Sequence, residues 1–260
     1  MKKIVVTGAF GQLGLSIQDI YKDYPVWDFT FLSAKQLDIT NEQTVQKVFK
    51  DGAFDYCINC AAYTNVEQAE KTPKLAFKVN AEGVRNIALS CKKHHVMLFH
   101  ISTDYVFDGE KQEPYTVNDS PNPINEYGKS KLAGEKFIQE ILDHYYIVRT
   151  SWLYSKIHGR NFYKTILEKA QKGEALKVTD EQIGCPTNTT TLSKFILNFI
   201  NSNNKPYGIY HFTDNISMTW YEFAKEIIKE NGLNKTTTIV RENNYRSFAI
   251  RPLNSVLLVN

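Results

Sequence analysis

In the stretch NEYGKSKLAGE, residues 125–135, Tyr127 stands four places before Lys131. On a helix, four residues at about 100° each return to nearly the same face, so a phenol and an ammonium lie side by side. Such a pair can deliver a proton. A free phenol, with a pKa of about 10, is too weak an acid near neutrality. A cation some 4 Å away contributes on the order of 4 kcal/mol at an effective dielectric of 20, enough to lower that value by up to about three units. The same spacing recurs at Tyr221 and Lys225 in WYEFAK, so context has to separate the two pairs.

Two other segments supply that context. TGAFGQLG carries Gly8, Gly11 and Gly14 directly after an apolar run. Glycines at a strand-to-helix turn let the backbone approach a pyrophosphate, with Gln12 and Leu13 opening a helix whose free N–H groups face the anion. HISTDYVFDG puts Ser102, Thr103 and Asp104 at the end of a later strand, where a doubly wound sheet opens its cofactor cleft. Reducing a ketone needs a hydride from a nicotinamide and a proton for the developing alkoxide. Tyr127 would give the proton, Thr103 would hold the ketone oxygen, and Lys131 would acidify Tyr127 and bind the nicotinamide ribose. Tyr221 and Lys225 lie far from any glycine turn.

The elements that must position these residues follow from the pattern of the chain. Short β-branched runs (KIVVTG, FTFLS, YCINCA, VMLFHIS, YYIVRTS) alternate with helical stretches over 12–22, 41–51, a long helix from Thr72-Pro73, and the Tyr127 helix. This rhythm predicts an α/β fold, a Rossmann-like doubly wound parallel sheet over residues 1–150. After Ser151 the rhythm breaks. Helices over 160–172, 189–202 and 219–231 with strands ALKVT and GIYHFT suggest a smaller α/β substrate-binding lid over 151–260, some of its elements rejoining the sheet.

Composition narrows the classes further. A chain of 260 residues can bury a full core, and its formal charge of +3 is too small for a nucleic-acid surface. No apolar stretch approaches a membrane span, and MKKIVVTGAF turns into the glycine loop where a signal peptide would stay apolar, so a cytoplasmic location is expected. Cys57 and Cys60 sit in a strand-like run that points them to opposite faces, so they, with Cys91 and Cys185, read as buried thiols and no metal is expected.

Cofactor choice turns on the loop after the second strand. LSAKQ offers Ser33 and Lys35 where a carboxylate would hold the ribose of NAD, which suits a 2′-phosphate and favours NADPH, with NADH possible. Asp38 and Ile39 suit adenine, although Asp38 could instead cap a helix. Small Ala61 and Ala62, followed by Tyr63, would let the cofactor lie on the backbone or let helix pack on sheet.

TGAFGQLG, INCAAYTNVEQAE, ISTDYVFDG, EYGKSKLAGE, RTSWLY, GRNFYKTIL, EQIGCPT and FAIRPLNSVL, in order along the chain, together resemble the dTDP-4-dehydrorhamnose reductase family of the short-chain dehydrogenase/reductases. The resemblance implies reduction at C4 of a 4-keto-6-deoxyhexose carried on thymidine diphosphate, making dTDP-L-rhamnose. It implies Thr103, Tyr127 and Lys131 as the catalytic set, Trp152 stacking on the sugar, and Asp104 and Glu67 near it. Asn161, Gln182 and Pro186 would meet the nucleotide; Arg251 would be a diphosphate ligand or a structural ion pair. Ser16 stands where some relatives carry a carboxylate that bridges a dimer through magnesium, which argues against a metal-bridged pair without deciding between monomer and homodimer. Tyr105 replaces the acid a dehydratase would use. An epimerase of the same fold, or a nucleotide-binding regulatory subunit like that of methionine adenosyltransferase, remains an alternative.

Overall fold

The computed structural model describes residues 1–202, 205–243 and 245–260. The first strand, β1 (Lys2–Thr7), keeps Ile4, Val5 and Val6 wholly out of solvent. Successive side chains of a strand point to opposite faces, and here Val5 enters one core while Ile4 and Val6 enter another. The same division separates Cys57 from Ile58, Leu98 from Phe99 and Ile147 from Val148. Unbroken apolar runs therefore mark strands covered on both sides. Each such side chain contributes about 1.5–3 kcal/mol by leaving water.

After β1 come α1 (Gln12–Ile20), β2 (Trp27–Leu32), α2 (Glu42–Gly52) and β3 (Tyr56–Asn59). The expected long helix from Thr72 is divided: α3 (Val66–Lys71) precedes it, α4 (Pro73–Phe77) begins with Pro73 in its first turn, and α5 (Val84–His94) follows a π-helical turn over Lys78–Gly83. Asn80 explains the interruption. Its carboxamide leaves the helix to bond Tyr63 N and O at 2.8 and 3.0 Å and Ser130 Oγ at 2.9 Å, fastening the segment beyond β3. β4 (Met97–Thr103), α6 (Glu126–Ile141) and β5 (Tyr145–Thr150) complete the alternation.

The remaining elements are β6 (Leu153–Tyr154), α7 (Phe162–Gln171), β7 (Leu176–Val178), β8 (Ile183–Gly184), β9 (Thr187–Asn188), α8 (Thr189–Ser202), β10 (Gly208–His211), β11 (Met218–Thr219), α9 (Trp220–Glu230) and β12 (Ile239–Arg241). Two of them return to the sheet. β10 pairs parallel with β5, giving a six-stranded order β2-β1-β3-β4-β5-β10 that is parallel throughout. α8 buries Leu192 and Ile196 against the face that α1 covers. Ser16, on α1, donates to Thr189 Oγ1 at 2.7 Å and is buried between these two helices.

A separate apolar cluster joins α7, α9 and β7 through Tyr163, Ile166, Leu176, Phe223 and Ile227. Among the described residues, three two-stranded ladders stand apart from the main sheet: β6 with β9, β8 with β11, and β7 with β12. All four cysteines are free, and among the described residues no group of His, Cys, Asp and Glu is arranged to hold a metal ion. No helix of the described residues is long and apolar enough to cross a membrane.

Candidate active site

A cavity of about 580 Å³ opens where β1 and β4 end, between the sheet and the α7–α9 cluster. Gly8, Gly11, Gln12, Leu13 and Gly14 form one wall. Gly8 has φ +59°, and a Cβ there would stand 2.6 Å from Ala61 N; at Gly14 it would meet Ala9 at 2.5 Å. Only glycine fits this turn. α1 starts without a capping side chain and without an acidic residue in its first turn, leaving its N–H groups for an anion. This cradle fits a dinucleotide pyrophosphate.

The opposite wall comes from β4 and α6. α6 is capped by Asn125, whose Oδ1 accepts from Gly128 N at 2.8 Å, and Gly128 is needed because a Cβ would stand 2.1 Å from Tyr105 O. That close approach brings Tyr127 beside the 3-10 turn at Asp104–Val106, its ring edge-on to Tyr105 with centroids 5.8 Å apart. Thr103, Asp104, Tyr127 and Lys131 all line the cavity. Thr103 Oγ1 donates to Asp104 Oδ1 at 3.0 Å, and Ser151 Oγ donates to Asp104 Oδ2 at 2.8 Å. Burial pushes the Asp104 carboxyl up to about 6, against the hydrogen bonds from Ser255, Ser151 and Thr103.

The expected acidification of Tyr127 by Lys131 is not present. Burial holds the Tyr127 phenol well above its ordinary value, offset only in part by its hydrogen bond with Thr103 and reinforced by Asp104 and Tyr105. Lys131 Nζ instead donates to Ile101 O at 2.7 Å and meets His100 Nε2 at 3.3 Å. A buried amine seeks the nearest strong acceptor, and here that is a β4 carbonyl. Burial lowers Lys131 to about 8, while Glu135 and Cys60 pull it upward.

Trp152 also lines the cavity. Its φ of +45° is a strained setting for an aromatic residue, held by a parallel stack on Trp220 with centroids 3.5 Å apart. Gly184 makes this possible, since a Cβ there would stand 2.4 Å from Trp152 Cε2. The GCPT segment is thus a seat for the indole. Asn161 reaches the cavity, but its carboxamide caps α7 at Lys164 N and donates to Gln12 Oε1 and Ser155 O.

Other expected ligands lie elsewhere. Gln182 accepts from the Trp220 indole at 3.0 Å and Pro186 is buried between β8 and β9, so neither reaches the cavity. Glu67 pairs with Arg251 at 2.7 Å and accepts from Phe248 N and Ala249 N, tying the last segment to α3. Burial works against the Glu67 charge, but Arg251 and these N–H groups outweigh it and hold the carboxyl below its usual value. Arg251 is an ion-pair partner that also lines the cavity.

Ala62 lines the cavity, Ala61 lies under Gly8, and Tyr63 is fixed by Asn80. Beyond β2, Ser33 bonds Gln36 at 2.7 Å, Lys35 is exposed, and Asp38 accepts from Thr40 in a local turn. Ile39 is core, packed against Gly83, and not an exposed adenine surface. These four stand outside the cavity. Trp220, Phe162 and Arg160 line it without having been singled out from sequence; the aromatic density of WYEF and the cation in GRNF were the available signals.

A glycine-turn cradle facing a Thr-Tyr-Lys wall on a parallel sheet defines an extended short-chain dehydrogenase/reductase. Within that class the chain belongs to the dTDP-4-dehydrorhamnose reductase family; the family model described as "RmlD substrate binding domain" matches residues 1–260. It is 36% identical to the dTDP-4-dehydrorhamnose reductase of Aggregatibacter actinomycetemcomitans, over 99% of this chain and 90% of that protein. It is 37% identical to the spore coat polysaccharide biosynthesis protein SpsK of Bacillus subtilis, over 99% and 89%. A crystal structure of dTDP-4-dehydrorhamnose reductase from Bacillus anthracis in complex with NADP superposes with a TM-score of 0.95 at 40% identity, over 100% of this chain and 92% of that one.

Proposed function

We propose that this protein uses NADPH to reduce the C4 ketone of a nucleotide-linked 4-keto-6-deoxy sugar, converting dTDP-4-dehydrorhamnose to dTDP-L-rhamnose. The observation that carries the reading is that one cavity is lined by the glycine cradle and by Thr103 and Tyr127. Relatives at 36% identity and above with that name support the substrate, and the relative crystallised with NADP supports the cofactor.

The roles follow from chemistry. The dihydronicotinamide supplies the hydride when bound. Thr103 holds the ketone oxygen through its hydroxyl, and Tyr127 gives its phenolic proton to that oxygen as negative charge develops. A secondary alkoxide is a stronger base than a phenolate, so this transfer runs downhill even from a phenol raised by burial. Without substrate the Thr103 hydroxyl donates its one proton to Asp104 at 3.0 Å, and it turns that proton to the ketone oxygen when the sugar binds. Residues 1–150, with β10 and α8, form the cofactor-binding part; the rest of 151–260 closes over the sugar nucleotide, with Trp152 and Trp220 as its aromatic wall.

The test is to mix purified protein, NADPH and dTDP-4-dehydrorhamnose and follow the loss of dihydronicotinamide absorbance. Turnover supports the reading. No turnover, together with NAD retained through purification, would replace it with an epimerase.

A further inference from the structure

The strand that delivers Thr103 carries, three residues earlier, a histidine that the reaction above leaves unused. His100 is completely buried. Its ring nitrogens meet Asn59 Nδ2 at 3.0 Å and Lys131 Nζ at 3.3 Å. The orientation of Asn59 is fixed by its other contacts: Oδ1 receives the backbone N–H of Ala61 at 3.2 Å and the Thr7 hydroxyl at 2.6 Å. The amide nitrogen is therefore what faces the imidazole, and an amide NH₂ only donates. His100 Nδ1 must be a bare lone pair, and the neutral ring carries its proton on Nε2. Turning the ring over leaves the count unchanged, because whichever nitrogen faces Asn59 has to accept.

The remaining N–H points at Lys131. An ammonium has three donors and no lone pair, so it would set N–H against N–H; a neutral amine accepts from His100 and still donates to Ile101 O. We propose that His100 is a positioning residue that holds Lys131 as a neutral amine at the cavity wall in the cofactor-free chain, so that Lys131 gains a proton, and the power to acidify Tyr127, only on cofactor binding. The neutral state of Lys131 stands on this geometry; its link to Tyr127 rests on the reductase reading.

The other groups around Lys131 do not reverse the argument. From α6, Glu135 favours the charged form, but it is committed to Arg149 of β5 in a buried ion pair at 2.7 Å. From the end of β3, Cys60 is kept a thiol by burial, which pushes it well above its usual value. Burial depresses His100 far below the ordinary imidazole value, with Lys131 adding to it, and burial brings Lys131 down to about 8. The proton balance is simple: one solvent proton joins the Lys131 nitrogen as it exchanges His100 and Ile101 for acceptors on the ligand.

Calorimetry of NADPH binding in buffers of different ionisation enthalpy, at about pH 8.5, reads the proton count directly. The wild-type chain should take up about one proton per cofactor, and His100→Phe, which removes the opposing N–H, should take up less than about half of that. Histidine ¹⁵N resonances of the cofactor-free chain, which has six histidines, give a second readout. One should stay in the neutral Nε2–H form across the pH range, and its N–H signal should shift in Lys131→Met. No proton uptake by the wild type, or a protonated Nδ1 at His100, would overturn the proposal. Uptake without reduction of any keto sugar would instead remove the reductase reading and leave this one standing.

Discussion

Tyr127 and Lys131 lie one turn apart on α6, yet their polar atoms serve different neighbours: Lys131 Nζ reaches Ile101 O at 2.7 Å, while the phenol ring packs edge-on against Tyr105. Both residues line the same cavity. A four-residue spacing therefore brings two side chains to one face without coupling their charges, because burial sends a long amine to the nearest carbonyl.

The proton donor is the residue most open to a clean test. Tyr127→Phe keeps the ring that packs on Tyr105 and removes only the hydroxyl. Cofactor affinity should stay within about twofold while kcat falls by about 10²–10⁴, the usual contribution of a positioned general acid. Steady-state kinetics beside a fluorescence titration with NADPH makes the comparison, and wild-type turnover would take the role from Tyr127.

Thr103→Val tests the grip on the ketone oxygen. The change preserves shape on β4 but removes both the bond to Asp104 and the hydroxyl facing the cavity. Losing one oxyanion-type donor costs about 2.7–4 kcal/mol of transition-state stabilisation, so kcat should drop about 10²–10³-fold. A rise in KM with kcat unchanged would mean that Thr103 only helps bind the ground state.

Much of this architecture could be read in advance. Ile4, Val5 and Val6 declared a strand buried on both faces, and Gly8 and Gly14 sit where a Cβ would strike backbone. What escaped the sequence was long-range polar pairing. Nothing in HIST or EYGKSK says that Lys131 meets His100, and nothing in NVEQAE says that Glu67 answers Arg251, 184 residues away. Trp152 was legible as a motif residue, but its partner Trp220 comes from a separate helix. Propensity and periodicity report local geometry; which distant acceptor a buried donor finds is settled by packing.

Cofactor preference should respond to the loop after β2. Lys35 is exposed there and free to answer a 2′-phosphate, while Ser33 is occupied by Gln36. Lys35→Glu sets a carboxylate where a phosphate would sit and should shift the NADPH to NADH ratio of kcat/KM by at least about tenfold toward NADH, equivalent to about 1.4 kcal/mol. An unchanged ratio would show that the ribose lies elsewhere.

Stability beneath the cavity depends on Glu135. Its carboxylate receives Arg149 Nη2 at 2.7 Å and Nε at 3.1 Å, together with the Ser102 hydroxyl, and both charged residues are buried. Glu135→Gln leaves the guanidinium without its countercharge and should cost about 3–5 kcal/mol in urea unfolding. Removing the exposed pair Lys172–Glu168 on α7 should leave the unfolding midpoint where it is.

Asp104 gives the opposite sign. Its folded value of about 6 lies above the 3.8 of a free aspartate because burial disfavours the charge. The native state therefore holds this proton more tightly than the unfolded chain, and the stability it contributes is complete below about pH 4 and lost as pH rises through about 6. At neutral pH an ionised, buried Asp104 is a liability of up to about 3 kcal/mol. Asp104→Asn should accordingly raise the urea midpoint at pH 7.5 and bring no gain near pH 4, while lowering turnover because Thr103 loses its oriented acceptor. Equal gains at both pH values would mean that the carboxyl titrates alike in the native and unfolded chains, so that its burial carries no charge penalty.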